Sequence, residues 1–217
     1  MEPLFLTLKV ASFSTAGAFI TGLLLTYLIT HAKIPGKNLL EAFLTLPMVL
    51  PPTVLGYYLI VVLGRNGLLG KWLNEYLGIS LMFTWQGAVL AAAVVSFPLV
   101  FKSARASFEE VDTTLEDAAR TLGLSELGIF FRISLPLAWR GILSGTLLAF
   151  ARAMGEFGAT LMIAGNLPGK TQTLPMAVYD AVQAGDAQLA AMLVFIISTA
   201  GMVILYLSGM MLQKTKG

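Results

Sequence analysis

The residues able to do chemistry are few, and they cluster. Of the chain's twelve acidic residues, Glu109, Glu110, Asp112, Glu116, Asp117 and Glu126 make six between positions 109 and 126. Charge at that density must face water or another protein. A second candidate is the pair Arg152 and Glu156, four apart inside an apolar run, a spacing that puts both on one face of a helix. An ion at membrane depth is costly enough to mark a functional site, although a neutralised pair bracing the bundle is an equally concrete reading. A third is "GNLPGKT", Gly165 to Thr171, which looks like a phosphate loop. It is one residue short of G-x4-G-K-[ST], contains Pro168 and follows an apolar run where a strand is required, so nucleotide binding is rejected. There is no cysteine, and the single histidine, His31, reads as a solvated loop residue rather than a proton relay. Thiol chemistry, disulfides and a Ser-His or Cys-His nucleophile are thereby excluded, and no cofactor or metal site is expected.

These residues need elements to hold them. The 217 residues are 57% hydrophobic and 12% charged, with a mean hydropathy of +0.80, against about 25% charged for a soluble domain. A helix needs about 20 apolar residues to cross a bilayer, and five runs qualify, near 10–30, 40–63, 83–102, 141–164 and 189–212. The expectation is an all-α, polytopic membrane bundle of about five transmembrane helices, a single domain over 1–217. The bundle is surrounded by membrane lipid with the loop at 103–136 on its cytoplasmic side, and a net charge of +2 makes nucleic acid an unsuitable partner. The first run has no basic n-region and no A-x-A site, and reads as an uncleaved span. Lys33, Lys37, Lys102, Arg105, Arg120, Arg132, Arg140, Lys214 and Lys216 fall on the side of the charged loop, against Arg65, Lys71 and Lys170 on the other. The positive-inside rule then puts the N-terminus outside and the C-terminus in the cytoplasm.

Within this frame, Gly17 and Gly22 suit close helix packing. Pro47, Pro51 and Pro52 must disturb the second run, either as a kinked packing helix or as a bend that lines a pathway with Thr53. Trp72 and Tyr76 suit an interfacial segment outside. Residues 116–122 and 125–133 have helical composition, with Gly123 between them able to take positive φ. "TQTLPMAVYDAVQAGDAQ" reads as a short outer helix flanked by Pro175 and Gly185.

In the charged loop, Ala118, Ala119, Gly123, Ile133, Leu135 and Pro136 reproduce an A-A, three residues, Gly, nine residues, Ile-x-Leu-Pro spacing. This resembles the E-A-A loop of permease subunits of binding-protein-dependent ABC importers. In that family the loop is the coupling helix, docked in a cleft of the ATP-hydrolysing subunit. The resemblance puts Glu116 through Gly123 in that cleft and leaves open whether Glu116 or Asp117, at the motif's glutamate position, makes the contact. "LPMVLPPTVLGYYLIVVLGRNGLLG", "FTWQGAVLAAAVVSFPLVFKSARASFEEVD" and "FARAMGEFGATLMIAGNLPGKTQTLPMAVYDAV" look like the permeases of molybdate and tungstate importers. Sulfate permeases are similar around "ARAMGEFGA". The resemblance implies a type I importer fold, a homodimer, two ATP-binding cassette subunits and an extracytoplasmic oxyanion-binding protein, with no catalysis by this chain. The residues themselves mark a candidate pathway near Pro51, Pro52, Thr53, Arg152 and Glu156, and a surface at Lys170, Thr171, Gln172 and Tyr179 that receives the binding protein or caps the dimer. The alternatives are a sulfate or other oxyanion permease and, more remotely, an anion channel. Inverted repeats and paired intramembrane aspartates, the marks of other classes, are not visible.

Overall fold

The computed structural model describes residues 2–31 and 35–213, and every described element is helical. In chain order these are α1 (Glu2–His31), α2 (Lys37–Thr45), α3 (Pro52–Leu63), α4 (Leu68–Leu77), α5 (Trp85–Glu109), α6 (Thr113–Thr121), α7 (Glu126–Ile129), α8 (Leu135–Met154), α9 (Gly158–Ala164), α10 (Leu174–Gln183) and α11 (Ala187–Gln213). Among the described residues four helical stretches are long and apolar enough to cross a membrane, and the pair α2 and α3 makes a fifth if it counts as one bent span. The expected bundle of about five spans therefore stands, with three boundaries redrawn.

The second span is a break rather than a kink. A 3-10 turn at Leu46–Met48 follows α2, α3 starts at Pro52, and the two parts meet at 111°. Pro51 and Pro52 explain this, because neither can donate a backbone hydrogen bond and the residue before each is pushed out of helical geometry. The fourth span is shifted toward the N-terminus. It runs over Glu126–Met154 and ends before residue 155, whereas the 141–164 run joins its last half to a separate short helix. Finally, His31 is the last residue of α1 and not a loop residue. Lys33, Lys214 and Lys216, counted in the charge asymmetry, lie outside the described residues.

Small side chains decide how closely the spans approach. Val10 and Ala11 of α1, Ala88 and Ala92 of α5, and Ala153 and Met154 of α8 form one buried cluster; Ala18, Val100 and Ala149 form another nearer the middle. Gly141 and Gly145 of α8 lie directly on Ser107 and Ser103 of α5, where a Cβ at Gly145 would come within 2.1 Å of the Ser103 Cβ. Membrane helices gain from contacts of this kind because lipid competes for every larger apolar surface. α11 joins through the buried hydroxyls of Ser144 and Ser208, 2.7 Å apart. Most of its remaining surface is uncovered, with Phe195 and Met202 both 72% exposed.

Candidate coupling surface and pathway

α6 is built by local rules. Asp112 caps its start by accepting from the Thr114 backbone N–H at 2.9 Å, and that bond holds its carboxyl below the usual range. Gly123, at φ +84°, closes it: the Leu124 N–H reaches the Ala119 carbonyl and the Gly123 N–H the Arg120 carbonyl, the paired bonds of a Schellman stop. Ser125 then starts α7, accepting from the Gly128 N–H at 3.2 Å.

Arg120 fastens the two short helices together. Its guanidinium donates to both carboxylate oxygens of Glu126, at 2.7 and 3.0 Å, and to Asp117 at 2.6 Å. The hydrogen bond to Glu126 raises its already high pKa further. Planar two-point pairing fixes orientation as well as distance. The two candidate carboxylates, adjacent in sequence, point differently. Glu116 turns inward and accepts from the Ser134 hydroxyl at 2.6 Å, with its side chain 19% exposed; Asp117 faces out at 71%. The two alanines also divide, since Ala119 is buried and Ala118 is exposed. Close approach by a partner is therefore available over Ala118 only, beside Leu122, which is 81% exposed.

Pro136, a residue that ordinarily stops a helix, does not do so here. Instead the helix continues through it, widened to a π-turn over Phe130–Ser134, and Pro136 sits in the first turn of α8. A proline there cannot bond the carbonyl four residues back, and a π-turn relieves the resulting crowding. Ile133 and Leu135 are half-buried on this turn. Of the loop drawn at 103–136, residues up to 109 belong to α5 and those from 126 onward continue into α8.

Arg152 and Glu156 are paired, at 2.8 Å, but not on one continuous helix. Arg152 is in the last turn of α8, whereas Glu156 lies in the break between α8 and α9, where its other oxygen accepts the Ala159 backbone N–H at 2.8 Å. Its side chain is 1% exposed, while that of Arg152 is 37% exposed. Glu156 thus ties the two helices across the break. This break and the one before α3 are brought together: a Cβ on Gly158 would lie 2.9 Å from the Pro52 Cβ, and one on Gly56 would lie 3.2 Å from the Ala159 Cα. Pro51, Pro52 and Thr53 remain exposed at this junction.

At the far end, the 165–173 loop is held by Asp180 of α10, whose two oxygens accept from Asn166 at 2.7 Å and Gln172 at 2.6 Å. Lys170 and Tyr179 are exposed. Thr171 is not available to a partner: it is buried, and its hydroxyl accepts from the Leu167 N–H and donates to the Gly165 carbonyl. Gln172 is half-buried on Asp180. Ser134 and Asp180 were not among the residues singled out by sequence, and Arg120 was counted only for its charge and its place in the 116–123 stretch, although a hydroxyl entering an apolar span and an aspartate within the outer helix were visible signals.

Comparison with known proteins places the fold and the family. The profile of the family described as "Binding-protein-dependent transport system inner membrane component" matches residues 17–216. The molybdenum transport system permease protein ModB of Escherichia coli K12 is 46% identical over 92% of this chain and 87% of its own length. ModB of Haemophilus influenzae is 45% identical over 84% and 80%. A sulfate transport system permease, CysT of Escherichia coli, stands at 33% over 86% and 67%. Among solved structures, a bacterial alginate ABC importer superposes with a TM-score of 0.77 at 14% identity, over 98% of this chain and 78% of that one. An inward-facing MetNI methionine transporter superposes at 0.73 and 16%, over 98% and 94%. The all-helical bundle is thus the importer permease fold, and the chain belongs to the family of binding-protein-dependent transport system inner membrane components.

Proposed function

We propose that this chain is the membrane-spanning subunit of an ATP-driven importer for molybdate or tungstate. It works as a homodimer above two ATPase subunits on the cytoplasmic side, fed from outside by an oxyanion-binding protein. The substrate class rests on the near full-length likeness to molybdenum permeases, which exceeds that to the sulfate permease. The coupling role is supported by one observation: α6 and α7 form a pair joined through Arg120 that turns Asp117, Ala118 and Leu122 outward while Glu116 reaches Ser134 at the base of the α8 span.

ATP binding closes the ATPase pair, and the α6–α7 unit carries that displacement into α8. The far end of α8 stops at the Arg152–Glu156 break, packed on the Pro51–Pro52 break through Gly158, so motion of α8 bears directly on the two places where the bundle is discontinuous. Arg152, partly exposed, supplies positive potential there for a tetrahedral dianion, and Glu156 keeps that potential too weak to trap it. Lys170 and Tyr179 offer the outer face a contact for the binding protein.

The test is to tag the chain, extract it gently, and determine which subunits co-purify and in what copy number. Two copies with two ATPase subunits, and ATP-dependent molybdate uptake after reconstitution with the binding protein that tungstate suppresses, are the expected results. Uptake suppressed by sulfate instead would move the substrate to the sulfate branch. A chain that emerges alone and conducts anions without ATP would replace the importer reading with a channel.

A further inference from the structure

We infer that Glu116 is a positioning residue that acts inside the chain. Through Ser134 it forms the strut by which movement of α6 reaches the π-turn at the base of α8. This deepens, and rests on, the coupling role proposed above.

The contact spans 18 positions of sequence, joins a surface helix to a membrane span, and is short at 2.6 Å. Its donor is 4% exposed. A hydroxyl bonded to a carboxylate is among the stronger neutral-to-ion pairings, and here it is shielded on the donor side. Arg120 faces the second Glu116 oxygen at 3.7 Å, so the guanidinium that locks α7 also steadies the strut. Asp117 is directed elsewhere, paired with Arg120 at 2.6 Å and still 71% exposed.

The end point of the strut is the deformable part of the span. Over Phe130–Ser134 the helix has the wide π repeat, a form seen as single turns at functional places in otherwise regular helices. Phe130 of that turn packs edge-on to Tyr27 of α1 at 4.7 Å and against Phe108 of α5 at 5.5 Å, so a shift there is felt by three spans. A cavity of about 300 Å³, bounded in part by Glu116, Ser134, Thr30 and Val111, leaves room beside the contact for α6 to move. Hence a push on α6 need not break the Arg120–Glu126 lock. It changes the winding at Ser134.

The experiment uses the reconstituted complex with its ATPase and binding protein, and reads oxyanion transported per ATP hydrolysed. Ser134→Ala is expected to lower that ratio about tenfold, the scale of one lost charge-assisted hydrogen bond, with ATPase subunits co-purifying at the wild-type ratio. Ser134→Thr, which keeps the hydroxyl, is expected to restore it. Glu116→Ala should match Ser134→Ala, with ATPase subunits again co-purifying at the wild-type ratio, and the double variant should be no worse than either. A wild-type transport-to-hydrolysis ratio in either single variant, or losses that multiply in the double, would overturn the strut. If the wild-type chain itself fails to hold an ATPase, the coupling reading falls, and the strut falls with it.

Discussion

Glu156 sets the most demanding condition of any single residue. Its carboxylate is almost wholly enclosed and answered by one guanidinium and one backbone N–H. Removing Arg152 takes the cation from an enclosed carboxylate, and because that guanidinium is itself 37% exposed the loss falls below the roughly 3–5 kcal/mol of a fully buried pair. Arg152→Ala is therefore expected to depress assembly, and Arg152→Ala with Glu156→Gln to recover it, because the amide still accepts from Ala159 without a charge. Fluorescence-detected size exclusion gives the assembly, and uptake by the recovered double variant then reports on the pathway: transport still lost means the guanidinium serves the anion, whereas transport regained means the pair is a brace. Asp112 gives a prediction in pH. Its folded pKa lies below the ordinary value, so its cap contributes fully above about pH 4 and is lost as pH falls through the lowered value. Protection of the Thr114 amide, taken relative to its intrinsic exchange rate, should fall below that point in the native chain. In Asp112→Asn, which caps as well but does not titrate, the acid-induced step should be absent.

At the level of elements, the α5–α8 contact carries the sharpest expectation. Gly145→Ala puts a methyl 2.1 Å from the Ser103 Cβ, so the helices must part, at about 1–3 kcal/mol for overpacking. Ser103→Gly in the same chain removes both crowded atoms and leaves only the Leu99 carbonyl at 3.4 Å. Melting in detergent should fall in the single variant and return most of the way in the double; an unchanged single variant would mean the helices do not meet as described. This level also separates what sequence revealed from what it hid. The Gly123 turn, the broken second span and the outer helix were legible because glycine and proline act on their own neighbours. The break after Met154 was hidden by Arg152 and Glu156, whose spacing of four imitates a helix face, although Gly155 and Gly158 bracket it. The opposite fates of Glu116 and Asp117 were beyond reach, since they are decided by Ser134, 18 positions away.

For the whole molecule, the open question is which end faces which compartment, and the absence of cysteine makes it answerable. Each engineered cysteine is the only thiol in the chain. Asp117 and Lys170 are both exposed, lie on the charged loop and on the 165–173 loop and take no part in span packing, so Asp117→Cys and Lys170→Cys are expected to fold. The positive-inside rule counts Lys and Arg near span ends, and Arg105, Arg120, Arg132 and Arg140 lie toward the α6 end, against Arg65, Lys71 and Lys170 at the other. A membrane-impermeant maleimide applied to intact cells should thus label Lys170→Cys and spare Asp117→Cys, with the pattern reversed in inside-out vesicles. The cytosolic position is also the one an ATPase would cover. In inside-out vesicles, labelling of Asp117→Cys should slow when the ATPase subunits are present, while Leu68→Cys, on exposed α4, stays unlabelled. Labelling of Asp117→Cys from outside would invert the chain and separate the charged loop from any cytoplasmic source of ATP. Equal labelling with and without ATPase would leave the topology intact while removing α6 from the contact, so the two conclusions stand or fall separately.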